Sequence, residues 1–244
     1  MNHQDASTPE PVNSPGPLVQ AINLLTAPTA VFQVLRTTPT WIFPLTVVLS
    51  GVILVTGWYF AVLDYDWYVD DTLSRIPQLD GAELEETRDA MLSFSQRNLL
   101  ILGIVGSAVS LLLIYLAQAG YLSLVSSLRG DTFRFRQWFS LAAWTSLPNL
   151  FTSLSMAVTI LLHPGGQLSN YDLNALSLYT LGMQFTNQSL NQILSTLNLP
   201  LFWNLALLVM GYRQWLQVSL PRAAVTVLAP YLLIYGIWAY FALS

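Results

Sequence analysis

The strongest constraint on this chain is a series of long apolar runs. The first extends from Trp41 to Leu63 without an acidic or basic side chain. About 23 helical residues rise far enough to cross the apolar layer of a bilayer, which is about 30 Å thick. Further runs follow at 99–126, 139–162, 199–215 and 223–243. The sequence therefore predicts an all-α polytopic membrane protein, a bundle of five transmembrane helices.

The composition agrees with a membrane location and excludes several classes of site. Only 9% of the 244 residues are charged and the mean hydropathy is +0.52, whereas a soluble domain carries roughly a quarter charged residues. The net charge of −4 argues against nucleic acid as a partner. With no cysteine and two histidines, the chain offers no thiol nucleophile and no histidine or cysteine metal cluster. We expect no metal and no cofactor.

The N-terminal segment predicts a tail followed by a short helix. Residues 1–23 are rich in Pro and Ser and lack an apolar core, so we expect a flexible, uncleaved tail before a membrane domain at 24–244. From 27 to 36 apolar residues recur at helical spacing, with Thr26 as a candidate N-cap and Pro28 in the first turn. The helix should end before Pro39. Its apolar side is predicted to lie in the headgroup plane.

The first loop, 64–98, holds nine of the thirteen acidic residues. Asp80 followed by Glu83 resembles a helix capping box. The run D-Y-D-W-Y-V-D-D invites comparison with a calcium loop, which needs Gly at its sixth position and Glu at its twelfth. Val69 and Arg75 occupy those positions, so the pattern favours a solvated acidic loop over a calcium site.

Polar and proline residues within the spans are candidate packing or cavity residues. An uncharged polar side chain at membrane depth must face protein or a cavity, and an internal proline frees a carbonyl that nearby hydroxyls can satisfy. The candidates for intramembrane packing or a cavity are Gln118, Thr145, Ser146 and Asn204, and the candidate kinks are Pro148 and Pro230.

The segment 173–197 carries no charged residue and is amphipathic near its end. Leu190, Ile193, Leu194 and Leu197 recur at helical spacing between Asn and Gln residues. The pattern favours a helix that lies on the surface or folds back over the bundle, and a spanning helix is the alternative.

The arginines predict the orientation. With five spans, one side holds Arg36, Arg129, Arg134, Arg136, Arg213 and Arg222, and the other holds Arg75, Arg88 and Arg97. The positive-inside rule then places the N-terminus in the cytoplasm and the C-terminus outside. Arg129, Arg134 and Arg136 form a short basic loop that is a candidate contact for anionic lipid or a partner.

Two stretches resemble the bacterial branch of the Yip family membrane domain. The first is T-A-P-T-A-V-F-Q-V-L-R-T-T-P-T-W-I-F-P-L, with Pro28, Phe32, Pro39 and Pro44 at the family positions. The second is G-D-T-F-R-F-R-Q-W-F-S-L-A-A-W-T-S-L-P, with Gly130, Phe133, Trp144, Thr145, Ser146 and Pro148. The resemblance implies a bacterial plasma membrane protein. Eukaryotic members bind Rab-type GTPases, but their acidic D-L-x-G-P-like stretch is missing here.

These observations favour a non-enzymatic function. Hydrolase, metalloprotease and phosphate-loop signatures are absent, and the predicted spans carry no carboxylate. We expect a scaffold, or a trafficking, assembly or organisation factor, with the lipid bilayer and a membrane protein or a second copy of itself as partners. The alternative is a small-solute or lipid transporter with Gln118, Thr145, Ser146 and Asn204 around a cavity.

Overall fold

A computed structural model describes residues 16–76 and 81–243, and the described residues form eleven helices. In chain order these are α1 (Pro17–Thr26), α2 (Pro28–Thr37), α3 (Ile42–Val62), α4 (Tyr65–Ser74), α5 (Gly81–Ser93), α6 (Gln96–Leu128), α7 (Phe135–Thr145), α8 (Asn149–Leu162), α9 (Gln188–Thr196), α10 (Leu199–Leu216) and α11 (Leu220–Leu243). An isolated antiparallel bridge pairs Ser177 with Asn198. The prediction of an all-α protein is thus confirmed for the described residues.

Four helical stretches of the described chain are long and apolar enough to cross a membrane: α3, α6, α7 with α8, and α11. The fourth predicted span, 199–215, coincides with α10, which does not reach the same hydropathy. Asn204, Arg213 and Gln214 lower its apolar character. The count of five spans is therefore not confirmed by length and hydropathy.

Helix α10 packs into the bundle along one side. It packs against α2, α7, α8 and α11, and nine of its eighteen residues are buried. At its start, the Leu199 amide donates to Leu176 O over 3.1 Å. At its end, Trp215 Nε1 donates to Phe32 O over 2.8 Å. The other side of α10 is exposed at Phe202, Trp203, Met210 and Arg213, so burial among helices accounts for Asn204 but not for Arg213.

The connections sort into two ends. The arginine-rich end comprises α1, α2, the α6–α7 connection and the α10–α11 connection, where Gln214 Nε2 donates to Thr29 O over 2.9 Å. The acidic end comprises α4, α5, residues 163–187 and α9. There, Asn187 Nδ2 donates to the Ala242 carbonyl near the end of α11 over 2.7 Å.

The predicted third span, 139–162, is not one continuous helix. Helix α7 ends at Thr145 and α8 begins at Asn149, with Pro148 as the residue that precedes α8. Proline has no N–H to continue the helical ladder. At the break, Thr145 Oγ1 donates to Ala142 O over 3.2 Å and Ser146 Oγ donates to Ala143 O over 2.8 Å.

The N-terminal prediction needs correction. Helix α1 begins at Pro17, inside the predicted tail 1–23, and residues 1–15 lie outside the described residues. Thr26 is the last residue of α1, not an N-cap, because its hydroxyl donates to Ile22 O. Ala27 precedes α2 instead. The predicted capping box also falls outside the description, since Asp80 is not described.

Residues 163–187 form an irregular loop, and only 188–196 of the predicted amphipathic segment are helical. Nine residues are about 14 Å of helix, too short to cross a bilayer. The loop docks on the end of α3, where the Asp64 amide donates to Gly166 O over 3.1 Å and the buried Tyr59 hydroxyl donates to Leu168 O over 2.9 Å. The spanning alternative for 173–197 is therefore excluded.

Asp64 adds a side-chain clasp between the loop and α4. Its Oδ2 accepts a hydrogen bond from Gln167 Nε2, and its Oδ1 accepts one from the Trp67 amide. These two hydrogen bonds, that of Gln167 first, lower the pKa of the Asp64 carboxyl. A lowered folded-state pKa gives stability that is present above the unfolded-state pKa and lost as the pH falls through the folded-state value.

Candidate functional site at the arginine-rich end

Helix α2 places its apolar face on protein and not on lipid. Val31, Phe32 and Leu35 are buried in the main core cluster with residues of α7 and α10. This corrects the prediction that the helix lies with its apolar side in the headgroup plane. Apolar residues at helical spacing predict a buried face, but the same spacing serves protein and lipid equally well.

Backbone carbonyls fix α2 and the break that follows it. Phe32 O accepts from Trp215 Nε1 over 2.8 Å, and Arg36 O accepts from Gln137 Nε2 over 2.9 Å. In the break after Pro39, Thr40 O accepts from Ser140 Oγ over 2.6 Å and from Trp144 Nε1 over 2.8 Å. Arg36 O lies in the last turn of α2 and Thr40 O beyond its end, where carbonyls need donors from elsewhere in the fold. Phe32 lies inside α2, so its bond from Trp215 adds to the helical one.

An aromatic cluster closes the core at this end. The Phe133 ring stacks on Trp215, with centroids 5.5 Å apart, and meets Trp138 edge-on at 5.7 Å. The Arg36 guanidinium lies 5.3 Å from the Phe133 centroid, within cation–π range. The basic-aromatic loop and the proline segment, far apart in sequence, therefore meet around one ring.

The three arginines of the predicted contact loop point outward. Arg129, Arg134 and Arg136 are all exposed. Both ion pairs found among the described residues, Arg75–Asp71 and Arg88–Asp70, lie at the acidic end. Within that part of the chain, the three loop arginines thus have no carboxylate partner and keep their charge for contacts outside the protein.

Helix α1, which the sequence left inside the tail, adds an exposed apolar face next to these arginines. Leu18 and Ile22 are 71% and 63% exposed, and Val19 and Leu25 are exposed beside them. Leu24 on the opposite side is fully buried in the core cluster. Helix α1 carries no charged residue. The missed signal was the short L-V-Q-A-I-N-L-L pattern after Pro17.

Gln118 and Pro230 take part in one bridge between α6 and α11. Gln118 Nε2 donates to the Tyr231 hydroxyl over 3.0 Å. One turn along, the Tyr121 hydroxyl donates to Thr226 O over 2.8 Å. Thr226 lies four residues before Pro230, so its carbonyl is the one that the proline leaves without a helical N–H. The sequence alone identifies Thr226 O as the carbonyl that Pro230 frees, but it does not identify Tyr121 as the donor.

Replacing Tyr121 by Phe should destabilise the protein by about 0.6 kcal/mol and at most roughly 1.7 kcal/mol, the range of interhelical hydrogen bonds in membranes. In a Pro230→Ala background the new amide can reach Thr226 O, so the same replacement should cost almost nothing. A double-mutant cycle on unfolding in bicelles measures the difference. Additive effects of the two substitutions would contradict this assignment of the tyrosine.

The four candidate cavity residues are not brought together. Thr145 and Ser146 are fully buried and bond carbonyls of their own helix. Asn204 is buried, with its Oδ1 lacking a hydrogen-bond partner among the described residues. Gln118 alone lines one of the five main cavities of the described chain, a nearly apolar cleft of about 280 Å³ between α6, α10 and α11. In the same part of the chain, no group of three or more His, Asp or Glu side chains could hold a metal ion.

The fold and its helix lengths define a polytopic helical membrane protein. A family model, that of the Yip1 domain, matches residues 22–241, which is most of the chain. The chain therefore belongs to the Yip1 domain family and is an integral membrane protein, and the family prediction made from the two proline-bearing stretches is confirmed. No protein with curated annotation and no solved structure gives a significant match.

Proposed function

We propose that this Yip1-domain protein is a non-enzymatic scaffold of a bacterial plasma membrane, which organises lipid or membrane-protein partners in trafficking or assembly. One observation carries the proposal: the arginine-rich end presents an exposed apolar face of α1 together with three exposed arginines that have no carboxylate partner among the described residues. An apolar face next to basic side chains suits the interface of an anionic membrane. This proposal moves the interfacial helix from α2 to α1.

The proposed topology has five crossings, with α10 as the fourth in chain order and α11 as the fifth. Its first turn bonds the loop of the acidic end and its last turn bonds α2, which supports a path from one end to the other. Six arginines then lie at one end and three at the other, so the positive-inside rule places the N-terminus in the cytoplasm and the C-terminus outside. A reporter fused to the C-terminus that proves cytoplasmic would contradict this orientation.

The test uses the absence of cysteine from the chain, which makes any introduced thiol unique. An Ile22→Cys variant carrying a photoreactive maleimide should form adducts with phospholipid or a partner protein in native membranes. A cysteine at Leu24, which is fully buried, should not react with the maleimide and serves as the unlabelled control. If Ile22 forms neither lipid nor partner adducts, α1 has no external contact and the proposal fails.

Replacing Arg129, Arg134 and Arg136 by Gln should reduce the yield of Ile22 adducts with anionic lipid several-fold, since each basic residue near a membrane surface contributes about 1 kcal/mol. Because the triple substitution leaves three arginines at each end, a C-terminal reporter should first show that the orientation is unchanged. Arg97→Gln is the matched control, because Arg97 is exposed at the acidic end. Unchanged adducts in the triple variant would leave the loop as a topology signal only.

A further inference from the structure

The acidic end contains a polar cleft that the proposed scaffold function does not use. It has a volume of about 410 Å³ and lies between α4, residues 169–171 and α9. Its lining combines an ion pair, aromatic rings, carboxamides and hydroxyls, with Ile76 as its one aliphatic residue. A cleft of this size falls in the range of small-molecule sites.

One wall of the cleft is held rigid by Arg75. Its Nη2 donates to Asp71 Oδ1 over 2.8 Å and its Nε donates to Asp71 Oδ2 over 3.1 Å. The guanidinium also lies 4.7 Å from the Tyr171 ring centroid, and Tyr171 packs on Tyr179 with centroids 5.5 Å apart. The hydrogen bonds to Asp71 raise the pKa of Arg75, so the pair stays ionised and its charges cancel.

This charge balance disfavours ionic ligands. An anion would find the one arginine of the cleft already paired, and the exposed acids of the neighbouring helices α4 and α5 repel it. A metal cation would need several free carboxylates, and the described residues hold no such group. The remaining functional groups are carboxamides and hydroxyls, which both donate and accept hydrogen bonds.

Gln188, the first residue of α9, supplies an acceptor without a donor. Its Oε1 is enclosed and has no hydrogen-bond partner among the described residues. An enclosed acceptor of this kind is costly, and turning the amide toward the cleft lets a ligand hydroxyl satisfy it. Gln192 lies one turn further along the same helix and also lines the cleft.

From these observations we propose that the cleft binds a neutral polyhydroxyl group, of the size of one hexopyranose ring. The paired charges, the carboxamides of Gln188 and Gln192 and the Thr196 hydroxyl suit a ligand that is rich in hydroxyls and carries no net charge. The Thr196 hydroxyl donates to Ile193 O and is available to the ligand as an acceptor. Such a ring can come as a free sugar or as the headgroup of a glycolipid.

The test places a single thiol at the rim, since the chain has no cysteine of its own. A Ser189→Cys variant in nanodiscs without glycolipid should be alkylated several-fold more slowly when methyl glucoside is added in excess. Nanodiscs that contain a glucosyl diacylglycerol replace the free sugar in the second arm. Protection in either arm supports the site and identifies the source. Absence of protection in both arms, or stronger protection by inorganic phosphate, overturns it.

Substitutions of glutamines test whether protection depends on hydrogen bonds to the ligand or only on the shape of the cleft rim. Adding Gln188→Leu and Gln192→Leu to the reporter should weaken the apparent affinity about tenfold, as expected for two lost hydrogen bonds. Gln184→Leu, an exposed glutamine before α9 that does not line the cleft, should leave the affinity unchanged. Equal protection in the reporter with and without the two leucines would overturn the proposal even where the sugar slows alkylation.

Discussion

Replacing Gly166 by Ala should produce one of the largest losses of stability in the chain, roughly 2–5 kcal/mol. Gly166 has φ +71°, a conformation that L side chains rarely adopt. A Cβ at this position would also overlap Val62 O and lie 2.8 Å from the Asp64 amide nitrogen. Both atoms belong to the backbone, so a side-chain rotation cannot relieve the overlap. The loop 163–187 would have to leave the end of α3.

The consequence should spread into the smaller core cluster. Leu168 and Leu173 of the loop pack with Tyr59 and Ile160 of the spanning helices. Undocking the loop breaks the hydrogen bond from the Asp64 amide to Gly166 O and exposes these residues. The unfolding temperature in detergent should fall, and the rate of hydrogen exchange at the Asp64 amide should rise by orders of magnitude.

Two glycines of the same connection serve as controls. Gly182 has φ +102° with open space around its would-be Cβ, so Gly182→Ala should show only the conformational cost of about 1 kcal/mol. Gly165 has open space and no positive φ, so Gly165→Ala should be nearly neutral. If Gly166→Ala and Gly182→Ala lose the same stability, the loop is not docked as closely as described.

The spans could be predicted because they depend on a property of the sequence alone. Length and apolar composition placed α3 within a residue of its bounds and found α11, since lipid selects for continuous apolar surface. Residues 199–215 were predicted as a helix for the same reason. One side of this helix packs on other helices. Hydropathy could not predict that, because it does not distinguish a lipid neighbour from a protein neighbour.

The arginine-rich end was harder to predict because its main contacts end on backbone carbonyls. Thr40 O needs a donor because α2 ends before Pro39, and that need could be read from the proline. Phe32 O lies within α2 and takes an additional hydrogen bond that no proline predicts. The donors, Trp215 and Trp144, are more than 100 residues away in the chain. The packing of α7 and α10 against α2 brings each tryptophan to its carbonyl, and that packing could not be predicted from the sequence. The exposed apolar face of α1 was equally hard to predict, because it depends on which neighbouring helices leave that face uncovered.

Trp215 should therefore be the residue on which the position of α2 depends most. Its side chain is 2% exposed, packs against Phe133 and Trp138, and donates to Phe32 O within the core. Trp215→Ala removes this packing together with the hydrogen bond to Phe32 O, a loss of about 3–5 kcal/mol. Hydrogen exchange in α2 should accelerate, while exchange in α11 away from α2 changes much less.

Two further variants divide the effect into its parts. Trp215→Phe keeps most of the ring and removes the N–H, so it should lose about 0.5–1.5 kcal/mol, the net contribution of one hydrogen bond. Trp203→Ala removes a tryptophan from the same helix that is 40% exposed and stacks on Phe151, so it should leave exchange in α2 unchanged. A Trp215→Phe protein as stable as the native chain would show that packing alone holds α2. Unchanged α2 exchange in Trp215→Ala would show that the carbonyl contacts of Gln137 and Gln214 suffice to hold α2, which would contradict the anchoring role of this tryptophan.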